Sequence, residues 1–322
     1  MKKFLSVAFA LALTVSLFAG CASSNSNKVV KIGVIQLLEH PALDDAYKGF
    51  VDGLKEAGYE DGKNIKIDYQ NAQNEQANCQ TIATKFVNDK EDLILAIATP
   101  AAQAVANATK DIPILVTAVT DPASAKLVQS NEKPGTNVSG TSDLNPIKEQ
   151  IALLKQVVPN AKTVALMYCS NEANSKFQID LAKAECEKLG IQTFEATISN
   201  SNELQQVTQS VVGKCDAVYI PTDNTIAGAM ATVGMVAEPA KLPVIVGEAN
   251  MVKNGGIATY GINYYNLGKQ TAAMAVKIMK DGAKPADMPI EYLTNLDLTL
   301  NTELAAKIGV TFPQELLDKA KK

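Results

Sequence analysis

Short apolar runs alternate along the chain with longer stretches whose apolar residues recur at three- and four-residue spacing. Residues 29–36, VVKIGVIQ, read as a strand, and residues 41–58 as a helix with Leu43, Tyr47, Phe50, Val51 and Leu54 on one face. NIKIDYQ, DLILAIA and IPILVTAV predict further strands, separated by helices over 75–88 and 100–109. After PGTNVSGTSDLNP the pattern restarts. Helices are expected over 146–158, 175–189, 203–212 and 225–237, interleaved with the strands KTVALMY, IQTFEATI, DAVYIP, LPVIVGE and IATYGIN. A last core helix is expected over 267–281, and KPADMPIEYL with a terminal helical stretch closes the chain.

Strand–helix alternation of this kind builds parallel sheets covered on both faces. The two halves echo each other, since KEAGYEDG and CEKLG each end a helix at glycine before an edge-like strand and an Asn-rich turn. The expected fold class is therefore α/β, with two doubly wound lobes. Crossings near Ser142, Asn263 and Leu293 would join 29–142 with 264–292 in one lobe, and 143–263 with 293–322 in the other. Ligands of such sheets bind outside the carboxyl ends of the strands, so a site is expected in the cleft between the lobes.

The first twenty residues fall outside this pattern. MKK followed by FLSVAFALALTVSLFAG reads as a secretory signal with a basic start and an apolar run. LFAGC resembles the lipobox of bacterial lipoproteins, with Phe18 where leucine is usual. That resemblance implies acylation of Cys21 and a membrane-anchored, extracytoplasmic protein, with ASSNSNK (22–28) as a polar tether. An ordinary signal cleaved near Ala19 or Gly20 is the alternative.

Composition narrows the chemistry. The 322 residues are 47% hydrophobic and 20% charged, which is globular, and the formal net charge is −4. Loss of Lys2 and Lys3 with the signal takes it to −4 − 2 = −6. No long basic run appears, which argues against nucleic acid as a partner. His40 is the only histidine, which removes most zinc sites and leaves one base for any Ser–His arrangement. Without a phosphate loop, a nucleophile elbow or a metal cluster, neither an enzyme nor a cofactor is expected. Cys79, Cys169, Cys186 and Cys215 show no CxxC pairing and read as scattered core residues, although export permits disulfides.

The strand ends carry QLLEHPALD, ATPAAQ, TAVTDP, YCSNEANS, PTDNT and GEANMV, rich in hydroxyls, amides and isolated carboxylates. In ATPAAQ, Thr99 is expected at a helix N-cap with Pro100 first in the helix, leaving the Ala101 and Ala102 N–H groups open to an anion. The near absence of cationic groups speaks against a sugar phosphate and suits a zwitterion.

Together IGVIQLLEHPALDDAYKGFVDGLKEAGY, ATPAAQA, TAVTDPASAKLV, NVSGTSD, PTDNTI and GINYYNLG resemble the substrate-binding lipoproteins of ABC importers, specifically the group that binds aromatic amino acids. The resemblance implies the type I periplasmic-binding-protein fold, a three-crossover hinge, a monomer, and delivery of a free amino acid to an ABC permease. It implies that Thr99, the Ala101 N–H and Thr120 take the α-carboxylate and Asp223 the ammonium. Asn171 and Asn174 would orient the ligand, and Glu39 and His40 would border its side chain. Each residue has a plainer reading: Asp223 as the cap of the helix near Thr225, the asparagines as turn residues, His40 as packing, Tyr264 and Tyr265 as lobe packing. Branched aliphatic amino acids, sugars or nucleosides, and a surface sensor or adhesin are the alternative functions.

Overall fold

The computed structural model describes residues 29–320. The proposed signal, Cys21 and the tether lie outside them.

Two six-stranded sheets divide the chain. The first contains β1 (Val30–Gln36), β2 (Ile65–Asn71), β3 (Leu93–Ile97), β4 (Ile114–Val119), β5 (Val138–Ser142) and β11 (Glu291–Tyr292), in the order β11-β5-β4-β3-β1-β2. All its pairings are parallel. The second contains β6 (Thr163–Cys169), β7 (Gln192–Ile198), β8 (Ala217–Ile220), β9 (Val244–Val246), β10 (Ala258–Gly261) and β12 (Asp297–Leu300), ordered β12-β10-β9-β8-β6-β7. Only β12 runs antiparallel. The two sheets share one winding order, so the echo between the halves of the sequence is a repeated topology.

Covered on both faces, central strands need apolar residues at every position rather than at alternate ones. All five residues of β3, LILAI, are accordingly fully buried. The chain passes between sheets three times: from β5 to the helix Ile147–Val157, from β10 to the helix Tyr264–Asp281, and from β11 to β12.

Three local expectations change. The helix expected over 225–237 is two, Asn224–Gly228 and Met230–Ala237, because Ala229 leaves helical geometry at φ −126°. The last core helix begins three residues early, at Tyr264, because the Asn263 side chain accepts from the Asn266 N–H and fixes the start. The third helix runs Thr99–Ala108, so Thr99 is its first residue and Ala98 its cap. The four cysteines are free thiols; Cys79, Cys169 and Cys186 are buried and Cys215 half-buried.

Candidate functional site

In each sheet the winding reverses beside the first strand, between β1 and β3 in one and β6 and β8 in the other. The helices there leave on opposite faces and open a crevice at the strand ends. The first crevice is edged by Gln36 and Leu37 after β1 and by Ala98 and Thr99 after β3. The second is edged by residues 170–172 after β6 and 221–224 after β8. The two crevices face each other. His40 Nε2 lies 3.4 Å from Asn224 Oδ1, Asn74 Nδ2 donates to Thr225 Oγ1 at 3.1 Å, and Gln178 Nε2 donates to Thr120 Oγ1 at 3.3 Å. Leu38 packs so near Gly228 that a Cβ there would sit 2.9 Å from its Cδ1. The lobes are closed upon one another.

Between them a cavity of about 640 Å³ is lined by Leu37, Pro100, Cys169, Glu172 and Thr225, among others. A second cavity of about 600 Å³ lies at the opposite end of the first lobe, against Val30, Pro113 and Ile278. Asp92, Asp111 and Lys284 also edge that one, and none of the orphaned polar atoms described next belongs to a residue lining either cavity.

Buried polar atoms are almost always hydrogen-bonded, so exceptions are informative. Among the described residues seven buried side-chain atoms lack a partner: Gln36 Oε1, His40 Nδ1, Thr99 Oγ1 and Asn174 Oδ1 at the facing crevices, Asp143 Oδ1 on the first crossover, and Glu91 Oε2 and Gln270 Oε1 elsewhere. Thr99 is the clearest case. Its hydroxyl does not cap the helix, because Ala98 occupies that place with φ +80°, a conformation costing about 1–3 kcal/mol for a residue with a Cβ. This strained turn frees the hydroxyl beside the Ala101 N–H, one of the donors a helix start leaves unused. The Ala102 N–H is not available, since it donates to the Ala98 carbonyl at 3.0 Å.

Thr120 is buried at the end of β4, where its hydroxyl accepts from Gln178. Asn174 is also buried, its amide shared among Glu172 Oε2, Ser175 Oγ and the Thr222 carbonyl. His40 caps the helix Pro41–Glu56, and burial holds its pKa down at about 4, so the ring is neutral. Glu39 is exposed, while Asn171 is exposed on the wall of the interlobe cavity and ties its amide to the Ser199 carbonyl at 2.9 Å.

Asp223 is fully buried and caps Asn224–Gly228. One carboxylate oxygen accepts from the Ile226 N–H at 2.8 Å and the other from the Cys169 N–H at 2.6 Å. Burial, then the charge of Glu172, pushes its pKa up.

Several contributors escaped the sequence reading. Glu172 is buried and accepts from the backbone and side chains of both Asn224 and Thr225, and from Asn174. Gln178 links the lobes through Thr120 and accepts from the Thr222 hydroxyl at 2.9 Å. Glu248 caps the helix Ala249–Lys253 with both oxygens, and burial lifts its pKa to about 7. For Gln36 the available signal is a polar residue directly after the apolar run IGVI. Glu172 lies inside SNEANS, where nothing local marks it off from a turn residue.

The closed crevices therefore concentrate buried carboxylates and hydroxyls with no buried cationic side chain among the described residues. The chain contains no arginine at all.

Residues 31–322 match the family described as ABC transporter substrate binding protein. The chain belongs to that family. A tyrosine-binding protein of Clostridioides difficile strain R20291 is 45% identical over 314 residues, covering 94% of this chain and 91% of the relative. A crystal structure of a Streptococcus pneumonia ABC domain in complex with L-Trp is 40% identical, with a TM-score of 0.88 over 91% of this chain and 99% of that one. The ligand-free, open structure of a substrate binding protein with adhesive properties from Clostridium difficile is 49% identical, with a TM-score of 0.69 over 88% and 96%. The open form superimposes less well although its sequence is nearer, as expected for a chain whose lobes are closed. The paired α/β lobes are those of the type I periplasmic-binding-protein fold.

The buried carboxyls set a pH dependence. Groups whose pKa is raised by folding contribute stability below their unfolded values and lose it as pH rises through the folded ones. This applies to Glu248 near 7, to Asp143 near 6 and to Asp223. His40, lowered from 6.5 to about 4, acts oppositely, losing stability as pH falls between those values. From pH 8 to pH 6 the carboxyls outweigh the single ring, by on the order of 1 kcal/mol. Thermal melts of ligand-free protein should show a higher midpoint at pH 6; a lower one would mean these carboxyls are not buried as described.

Proposed function

We infer that the chain is an extracytoplasmic receptor that binds an aromatic amino acid between its lobes and delivers it to an ABC permease. The lobes are 29–142 with 264–292 and 143–263 with 293–322, the protein is a monomer, and a lipid on Cys21 anchors it. The observation that carries the ligand class is the Thr99 turn: a free buried hydroxyl beside an open helix N–H, in a closed cleft without arginine. A single carboxylate needs no more than this, and a compact zwitterion enters a low-dielectric cleft more readily than a net anion.

Similarity to a tyrosine-binding protein and to an L-Trp complex supports the aromatic class. His40 Nδ1 and Gln36 Oε1 supply polar partners for a phenol or an indole N–H. Both lobes contribute groups, so the ligand binds the closed state more tightly and shifts the population toward it. The anchor reading rests on LFAGC, and among the described residues no helix is long and apolar enough to cross a membrane.

A thermal-shift screen against the twenty amino acids, with sugars and nucleosides as controls, tests the ligand class. Tyrosine or tryptophan should raise the midpoint most, because a ligand of the native state alone stabilises by mass action. A rise with sugars and none with amino acids would overturn the reading. Intact-mass analysis of membrane-derived protein should show a diacylglyceryl addition at Cys21.

A further inference from the structure

Four carboxylates are buried around the facing strand ends and the hinge: Asp143, Glu172, Asp223 and Glu248. Three of them have donors at both oxygens. Both oxygens of Asp223 and of Glu248 accept from backbone N–H groups, and Glu172 accepts from two backbone and three side-chain donors. Asp143 differs. Its Oδ2 accepts from the Tyr264 hydroxyl at 2.8 Å, while Oδ1 is buried with no partner at full hydrogen-bond geometry, the Thr120 hydroxyl being only nearby. No described ion pair includes it.

Its position is that of a hinge residue at a strand end. Asp143 directly follows β5 on the first crossover, and its N–H donates to the Val119 carbonyl at the end of β4. The next residue along β4 is Thr120, whose hydroxyl stands near the carboxylate and is reached from the other lobe by Gln178. The hydroxyls of Tyr264 and Thr120 favour the charged form against a burial that pushes the pKa up to about 6.

Spacing completes the case. β5, β4 and β3 are neighbours in the sheet, so Asp143 and Thr99 end strands two positions apart, about 10 Å. An α-amino acid places its ammonium and a carboxylate oxygen about 3 Å apart, and a hydrogen bond of about 2.9 Å at each end spans about 9 Å. The separation of the two strand ends thus matches the reach of one zwitterion between Thr99 and Asp143 within a single lobe.

Building on the amino-acid reading above, we propose that Asp143, rather than Asp223, receives the α-ammonium of the ligand. The first lobe would then hold both charges of the zwitterion at the hinge, and the second lobe would close over its side chain.

The test is calorimetry with L-tyrosine and 3-(4-hydroxyphenyl)propanoate, which lacks only the amine, and likewise with L-tryptophan and indole-3-propanoate. Wild-type protein should prefer the amino acid by at least about 100-fold, the expectation for a buried charge pair. Asp143→Asn, which keeps an acceptor for Tyr264, should reduce that preference below about tenfold while binding the des-amino acid within about threefold of wild type. Asp223→Asn should leave the preference in place. Asp143→Asn retaining the full preference, or weakening both ligands equally, would overturn the proposal. Wild-type protein binding none of the four would instead overturn the amino-acid reading itself. A wild-type crystal structure with the bound amino acid decides the matter even if the variant does not fold: the nitrogen should lie within hydrogen-bonding distance of Asp143 Oδ1, and a nitrogen against Asp223 or Glu248 would contradict it.

Discussion

Replacing Glu172 with alanine is expected to cost about 3–5 kcal/mol and to lower the melting midpoint by about 10 °C. The carboxylate accepts from Asn224 N and Nδ2 at 3.1 and 2.6 Å, from Thr225 N and Oγ1 at 2.8 Å each, and from Asn174 Nδ2 at 3.1 Å. The residue is buried, so truncation leaves two backbone N–H groups and three side-chain donors without acceptors, and stranded donors cost more than the bonds gained. The same carboxylate fixes the turn that presents Asn224 to His40 and holds Asn174 at the cleft, so ligand affinity should fall at least about tenfold as well. Glu172→Gln keeps one carbonyl oxygen and should lose roughly half as much stability. A midpoint for Glu172→Ala within about 2 °C of wild type would show that the loop is held by something else.

The second large effect is expected at Gly268. A Cβ there would stand 2.0 Å from the Ala46 carbonyl oxygen and 2.8 Å from the Phe50 nitrogen. The reciprocal contact is as tight, since a Cβ on Gly49 would meet the Tyr265 carbonyl at 2.0 Å. The helices Pro41–Glu56 and Tyr264–Asp281 thus cross with backbone against backbone, which no side chain can follow without moving one of them. Gly268→Val should cost about 3 kcal/mol or more, and Gly268→Ala a smaller part of it. Function should suffer too, because Tyr264, whose hydroxyl holds Asp143, begins the helix that must shift. Chemical denaturation measures this directly; a Gly268→Val midpoint equal to wild type would mean the helices do not touch as described.

Legibility in the sequence tracked the range over which each signal acts. LILAI announces a doubly covered strand by itself, and Ala-Thr-Pro announces a helix start within three residues. The repeated winding order followed from such local units. The features that organise the cleft are non-local. Glu172 acts on Asn224 and Thr225, Gln178 on Thr120 and Thr222, and Asp143 on Tyr264, partners separated by 44 to 121 positions. No spacing rule connects them, so a carboxylate in SNEANS or GTSD reads like any loop residue until the lobes are paired. Asp223 combines two local signals: its strand-end place suggests a ligand contact, and its own helix start and the Cys169 N–H each engage one of its oxygens. At Thr99 the helix starts one residue earlier than Thr-Pro suggests, because Ala98 takes a positive φ that the sequence does not advertise.

The most direct measurement of the central claim is a calorimetric titration of the purified protein with L-tyrosine and L-tryptophan, set beside tyramine and tryptamine, which lack the carboxylate, and repeated on Thr99→Val. Saturable one-to-one binding of at least one amino acid is expected, with affinity reduced at least about tenfold in Thr99→Val and at least about 100-fold for the matching amine. An amine that binds as tightly as its amino acid, or a Thr99→Val protein that binds as wild type does, would contradict a cleft built around the Thr99 turn as a carboxylate site.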